Sequence, residues 1–179
     1  MNPLKQYNIG FVGLSLGTHR YSFDIDPEFF MHFGEAAFDH GHVVLNLDLE
    51  KSNNMITLNF QFNGEVSLSC DRCMEVYQQP FDLKKQLLVK FGDSFMEQSD
   101  EIIIIPFTAS HIDISQYVYE FLHLGLPLKR VHPDTTDGNE GCDPQVVESL
   151  KKYQAKQHQQ KGNNGEDSPW EALKTLKFN

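Results

Sequence analysis

The feature that most constrains the fold is a long stretch of alternating apolar and polar side chains in the middle of the chain. Successive side chains of a β-strand point to opposite faces, so this pattern predicts strands with one buried face. Asn53-Asn54 and Asn63-Gly64 interrupt it as turns, and Asn-Gly is a strong hairpin signal because both turn positions need positive φ. The stretch therefore predicts an antiparallel meander with one apolar face. Its inward positions are Leu45, Leu47, Leu49, Ile56, Leu58, Phe60, Phe62, Val66, Leu68, Cys70, Phe81, Leu83, Leu87, Val89 and Phe91.

Shorter patterns on both sides add strands and helices. Residues 7–11, 21–25 and 101–107 are typical of strands, with a loop over 92–100. Asp26-Pro27 predicts a helix start, because Asp is a favoured N-cap and Pro suits the first helical position. These elements predict an α+β fold with an antiparallel, barrel-like β-sheet.

A second helix follows the last predicted strand. Apolar side chains recur at helical spacing over residues 114–122, after a cap at Asp113 or Ser115 and before Gly125. We therefore expect two or three helices in a single α+β domain over residues 1–150.

The C-terminal part has a different composition. Residues 151–167 are rich in Lys, Gln, Gly and Asn, which favours a flexible or weakly helical linker. A short helix should begin at Ser168-Pro169, with Glu171 completing a capping box. We expect residues 151–179 to form a flexible C-terminal arm.

Charge is unevenly distributed along the chain. Residues 1–150 carry 9 basic against 22 acidic side chains, whereas residues 151–179 carry 6 against 3. An acidic body binds RNA weakly unless a local basic patch exists, because phosphate neutralisation supplies most non-specific affinity.

The longest purely apolar run is Ile102–Ile105, far short of a membrane span, and no signal peptide is evident. We expect a cytoplasmic protein without a membrane partner.

Three cysteines, two of them in Cys70-Asp71-Arg72-Cys73, point to metal or redox chemistry. A disulfide framework would use an even number, and a reducing cytosol disfavours one. Because the pair lies between two strands and not at a helix N-terminus, a metal knuckle is favoured over a thioredoxin motif. A structural zinc site needs four ligands, and Cys142 and His132 could complete the set.

Alternatives to this zinc site stay open. Asp134 or Asp137 could replace the histidine as fourth ligand. Cys70 continues the inward alternation and could be a core thiol in a degenerate site without metal, or the pair could serve redox chemistry. No catalytic motif or small-molecule site is evident, so we predict that the protein is not an enzyme.

Three cations flank the predicted knuckle on an otherwise acidic body. Arg72 lies between the two cysteines, and Lys129 and Arg130 follow the second helix. If residues 129–142 fold against the knuckle, these side chains would form a partner-binding patch for phosphates or carboxylates. The alternative is a solvated rim of charged side chains.

Three segments resemble the YceD family in order and rough separation. They are residues 66–74 around the knuckle, residues 120–127 at the end of the second helix, and residues 167–177 near the C-terminus. The resemblance covers about residues 45–179. Family members are similar in having a second cysteine cluster after the Leu-Pro pair, which is reduced here to His132 and Cys142.

The resemblance implies a role in accumulation of large-subunit ribosomal RNA and a genomic association with a small ribosomal protein. We therefore expect a non-catalytic accessory factor in ribosome production that binds ribosomal RNA or ribosomal protein. Two other functions remain open: an adaptor that binds proteins through its C-terminal helix, and a zinc- or thiol-dependent enzyme.

Overall fold

The computed structural model describes residues 3–34, 36–38, 40–133 and 141–159, with backbone alone for residue 3 and for 154–159. The chain divides into two compact units, Met1–Val131 and His132–Asn179. The predicted arm from residue 160 onward, with its helix at Ser168, lies outside the described residues. The predicted division at residue 150 stays a prediction.

The first unit contains eight strands and two α-helices in its described part. A 3-10 helix over Pro3–Tyr7 precedes the first strand. The strands are β1 (Asn8–Gly10), β2 (Gly17–Ile25), β3 (His40–Lys51), β4 (Met55–Ser69), β5 (Val76–Gly92), β6 (Met96–Ser99), β7 (Ile102–Pro106) and β8 (His111–Asp113), and the helices are α1 (Pro27–Phe30) and α2 (Ser115–Gly125).

The second unit is described as one helix and the residues before it. This helix, α3, runs over Pro144–Gln159 and thus covers part of the segment predicted to be flexible or weakly helical. No helix in the described residues is long and apolar enough to cross a bilayer.

Six strands form the main sheet, in the order β2-β3-β4-β5-β7-β6. All neighbours are antiparallel except β5 and β7, which run parallel, so the sheet is mixed. β1 and β8 form a separate antiparallel pair. The predicted barrel-like closure is wrong, because β2 and β6 are edges of an open sheet in the described structure. The loop predicted over residues 92–100 contains β6.

One face of this sheet carries the core, as the alternation predicted. Inward side chains of β3 and β4 are almost fully buried, and α2 lays Phe121 against Phe60 at 5.3 Å between ring centroids. α1 begins as predicted, with the Asp26 side chain accepting hydrogen bonds from the amides of Glu28 and Phe29. Since short helices cover the inner face, the sheet need not close to bury it.

The predicted hairpin at Asn63-Gly64 is wrong, because β4 runs straight through it. Gly64 pairs with Val43 on one side and Phe81 on the other. A Cβ at Gly64 would lie 2.8 Å from the Cα of Val43, closer than atoms can approach. The glycine is therefore required by close contact between two strands and not by a turn.

Gly64→Ala should destabilise the sheet, because the added methyl group would collide with backbone atoms that cannot move without shifting β3. We expect a loss of about 1–3 kcal/mol in the free energy of unfolding, measured by urea denaturation. Gly13→Ala is the matched control, since a Cβ there meets no atom within 4 Å. Equal urea midpoints for the two variants would contradict the close-contact explanation.

Candidate functional site

The Cys70-x-x-Cys73 motif lies in the turn between β4 and β5, where the sequence predicted it. The amide of Cys70 donates to the Glu75 carbonyl at 2.9 Å, and the amide of Met74 donates back to the Cys70 carbonyl at 2.9 Å. These two bonds close a compact turn, called here the knuckle (residues 70–75).

The knuckle brings its two sulfur atoms together. The ligand atoms of Cys70 and Cys73 lie within 4.8 Å of each other, and the Arg72 amide donates to Cys70 Sγ at 3.4 Å. An N–H donor favours the charged form of a sulfur that it contacts, so this geometry suits a thiolate. Met74 takes a φ of 63° in the same turn. Placing a residue with a Cβ in this left-handed region costs about 1–2 kcal/mol of conformational energy, so Met74 lowers the stability of the turn.

Burial differs between the two cysteines. Cys70 is fully buried and Cys73 half-buried.

Tyr77, at the start of β5, lies near the Cys70 thiol and the charged groups around that thiol. Its pKa is raised mainly by burial and further by Cys70 and Asp71, while Arg130 acts in the opposite direction. Tyr77 is thus subject to opposite electrostatic effects from Cys70 and Arg130.

A pair of hydrogen bonds ties residue 130 to the knuckle. The Asp71 amide donates to the Arg130 carbonyl at 2.6 Å, and the Arg130 amide donates to Asp71 Oδ2 at 2.8 Å. Bonds to a charged acceptor are stronger than neutral ones. The backbone of Arg130 is therefore anchored at the residue next to Cys70, although 59 positions separate the two in the chain.

The second unit holds the other two predicted ligands. His132 Nδ1 and Cys142 Sγ lie 3.6 Å apart, and Cys142 is buried. For sulfur and nitrogen ligands on one tetrahedral zinc, bond lengths near 2.3 and 2.0 Å give a separation of about 3.5 Å. The same distance suits a hydrogen bond to sulfur, so the contact fits both a pair of zinc ligands and a direct hydrogen bond. The alternative ligands Asp134 and Asp137 lie outside the described residues.

The donor chemistry of the predicted ligand set fits zinc. Each of the four residues, Cys70, Cys73, His132 and Cys142, offers one ligand atom, which makes three thiolates and one imidazole. This Cys₃His combination is a usual one for structural zinc. No disulfide involves any of the three cysteines. The protein therefore has side chains that could hold a metal.

The three residues of the predicted basic patch differ in their exposure. Arg72 is half-buried within the knuckle, whereas Lys129 and Arg130 are exposed. Because Asp71 bonds to the backbone of Arg130, the two arginines come from segments that meet at the knuckle. Lys129 is adjacent to Arg130 in the chain.

Sequence reasoning missed the structural role of Asp71. An Asp inside a turn commonly accepts hydrogen bonds from backbone amides, and its place between two candidate ligands was the available signal. Its partner could not be read from the sequence, because nothing local marks residue 130. Met74 was also missed, since no propensity predicts methionine at positive φ.

The chain matches the model of a known protein family. A family model described as "Large ribosomal RNA subunit accumulation protein YceD" matches residues 58–177, about two thirds of the chain. The matched range includes the knuckle, α2 and the anchored segment around Arg130. No curated protein and no solved structure matches the chain significantly.

Asp71→Ala should loosen the segment anchored at residue 130. Loss of a charged acceptor at an exposed position should cost about 1 kcal/mol locally, so hydrogen exchange at the Arg130 amide should accelerate roughly fivefold. Asp82→Ala, which removes an exposed carboxylate from β5, is the control and should leave that amide unchanged. Unaltered exchange at Arg130 in the Asp71 variant would show that the anchor is not formed in solution.

Proposed function

The chain belongs to the YceD family of large ribosomal RNA subunit accumulation proteins, and from this we propose that it is a cytoplasmic accessory factor in ribosome production. It would support accumulation of large-subunit ribosomal RNA by binding ribosomal RNA or a ribosomal protein, without catalysing a reaction. The observation that carries the proposal is the family match over residues 58–177, which includes the knuckle and the anchored segment.

The first part of the proposal is a structural zinc site made by Cys70, Cys73, His132 and Cys142. His132 follows Arg130 by two residues, and an extended chain spans at most about 3.6 Å per residue. The chain between Arg130 and His132 therefore spans at most about 7 Å. In the second unit, His132 is in contact with Cys142. Zinc would cross-link these segments when bound.

A closed ligand set also supports a non-catalytic role. Catalytic zinc keeps one coordination position for water or substrate, whereas structural zinc has four protein ligands. With three thiolates and one imidazole, no position would remain for a reactant. This argues against the zinc-dependent enzyme as a rival.

The second part of the proposal is that Arg72, Lys129 and Arg130 bind the partner. Lys129 and Arg130 are exposed, and the rest of residues 1–150 is strongly acidic. Arginine forms paired hydrogen bonds with phosphate and carboxylate, so a local cluster can bind where the whole protein repels RNA. The competing function is an adaptor that binds through the C-terminal helix at Ser168, and deletion of that helix distinguishes the two.

The zinc site predicts metal content. Protein purified without chelator should contain about one zinc per chain by elemental analysis. His132→Ala should lower zinc retention during dialysis, whereas His32→Ala, at an exposed position in the first unit, should not. A fully folded, metal-free wild-type protein would refute the zinc site and support the degenerate site.

The basic patch predicts partner binding. Replacing Arg72, Lys129 and Arg130 together by Gln should reduce copurification of ribosomal components and the level of large-subunit ribosomal RNA. If RNA is bound directly, the negative slope of log K against log salt should become shallower by roughly 2. The Lys129 and Arg130 substitutions should change the unfolding free energy little, because these two cations are exposed and exposed cations contribute little to stability.

Two control variants accompany this experiment. Replacing Lys5, Arg20 and Lys84 by Gln makes the same charge change at exposed positions elsewhere and should leave copurification intact. Deletion of residues 168–179 tests the adaptor. Full copurification by the basic-patch variant, together with loss on that deletion, would refute the patch and establish the adaptor.

A further inference from the structure

A second surface of the first unit has the features of a binding groove. A cavity of about 770 Å³ opens between α2 and the strands β5, β6 and β7. Its size lies within the range of about 300–1,000 Å³ that is usual for pockets enclosing small ligands. The groove is formed within one unit and does not depend on the metal site or the basic patch.

Carboxylates surround this groove, called here the acidic groove. Glu97 comes from β6, Asp100 and Glu101 from the link to β7, and Glu120 from α2. Lys85 of β5 is the one lysine or arginine among its lining residues, and its Nζ lies over the Phe121 ring at 5.9 Å from the centroid. At neutral pH the carboxylates outnumber the ammonium group, so the groove carries net negative charge.

Tyr117 of α2 also lines the acidic groove. Burial, together with the charges of Glu97 and Glu120, raises the pKa of Tyr117 to about 12. Two acidic groups from separate elements thus act on one phenol. The Gln116 amide nitrogen donates to Glu120 Oε1 at 2.7 Å and holds that carboxylate on the helix surface.

The floor and rim of the groove are partly apolar. Phe121 and Ile103 are buried beneath it, while Leu124 is 71% exposed at its rim. Tyr117 and Tyr119 add aromatic surface. Long basic side chains bind such surfaces well, since their aliphatic stems cover apolar and aromatic groups while their charged ends reach carboxylates.

From this combination we propose that the acidic groove binds a lysine- and arginine-rich peptide segment of a protein partner. The four carboxylates supply acceptors for ammonium and guanidinium groups, and the aromatic floor supplies contact for the side-chain stems. An RNA strand is excluded from this surface because its phosphates would meet like charges. The protein would then have two binding surfaces of opposite charge: a cationic one at the knuckle and an anionic one at α2.

The test is binding of a fluorescein-labelled 12-residue peptide of alternating lysine, leucine and arginine to the full chain, followed by fluorescence anisotropy. The peptide should bind with an affinity that falls as salt rises, since paired charges are screened. Glu97→Gln combined with Glu120→Gln should weaken binding about tenfold. Glu50→Gln combined with Glu65→Gln makes the same charge change at exposed positions on β3 and β4 and should bind like the wild type.

A second variant separates binding from folding. Leu124→Ser removes an exposed apolar side chain from the rim, so the fold should persist while peptide affinity falls several-fold. Equal peptide binding by the Glu97/Glu120 and Glu50/Glu65 variants would overturn the proposal, because attraction would then come from net charge alone. Stronger binding of a 12-nucleotide RNA than of the peptide, with loss in the Glu97/Glu120 variant, would also overturn it.

Discussion

Burial of one face of the six-stranded sheet is the interaction on which the rest of the structure depends. Each buried Leu, Ile or Phe side chain contributes roughly 1.5–3 kcal/mol, and inward positions of β3 and β4 are nearly all buried. The register that buries these side chains pairs Ser69 with Val76 and so fixes where the knuckle turns. The same face receives Phe121, which places α2 and one wall of the acidic groove. Core packing therefore determines the positions of both the knuckle and the acidic groove.

Strands and helices with a strong local period could be predicted from the sequence. The alternation through β3, β4 and β5 and the capped start at Asp26-Pro27 are confirmed, because burial and capping act on residues close together in the chain. Asn63-Gly64 misled for a physical reason: glycine serves close strand contact as well as turns, and the pairing of β4 on both sides outweighs a local turn preference. Whether the sheet closes, and which strand pairs with β5, depends on pairings between distant residues that no local pattern encodes.

The potential ligands of the candidate site could be predicted from the sequence, whereas the long-range hydrogen bonds around them could not. Cysteine and histidine identify potential zinc ligands by their donor atoms alone, so spacing and residue type were enough to nominate them. The bonds between Asp71 and Arg130 join positions far apart in sequence, and the acidic groove gathers side chains from three strands and a helix. Interactions of this kind follow only from the tertiary fold. The ligand set and the basic patch remain predictions, for which the structure supplies supporting geometry within each unit.

The edge strand β6 has a consequence for the behaviour of the protein at high concentration. β7 contains four consecutive isoleucines, Ile102–Ile105, and a run of this kind at an open sheet edge would pair readily with another chain. β6 covers that edge, and all four of its residues are exposed, including the charged Glu97. A short, polar edge strand is a poor template for further strands. The chain thus protects this isoleucine run by placing it one strand inside the sheet, behind a strand whose residues are all exposed.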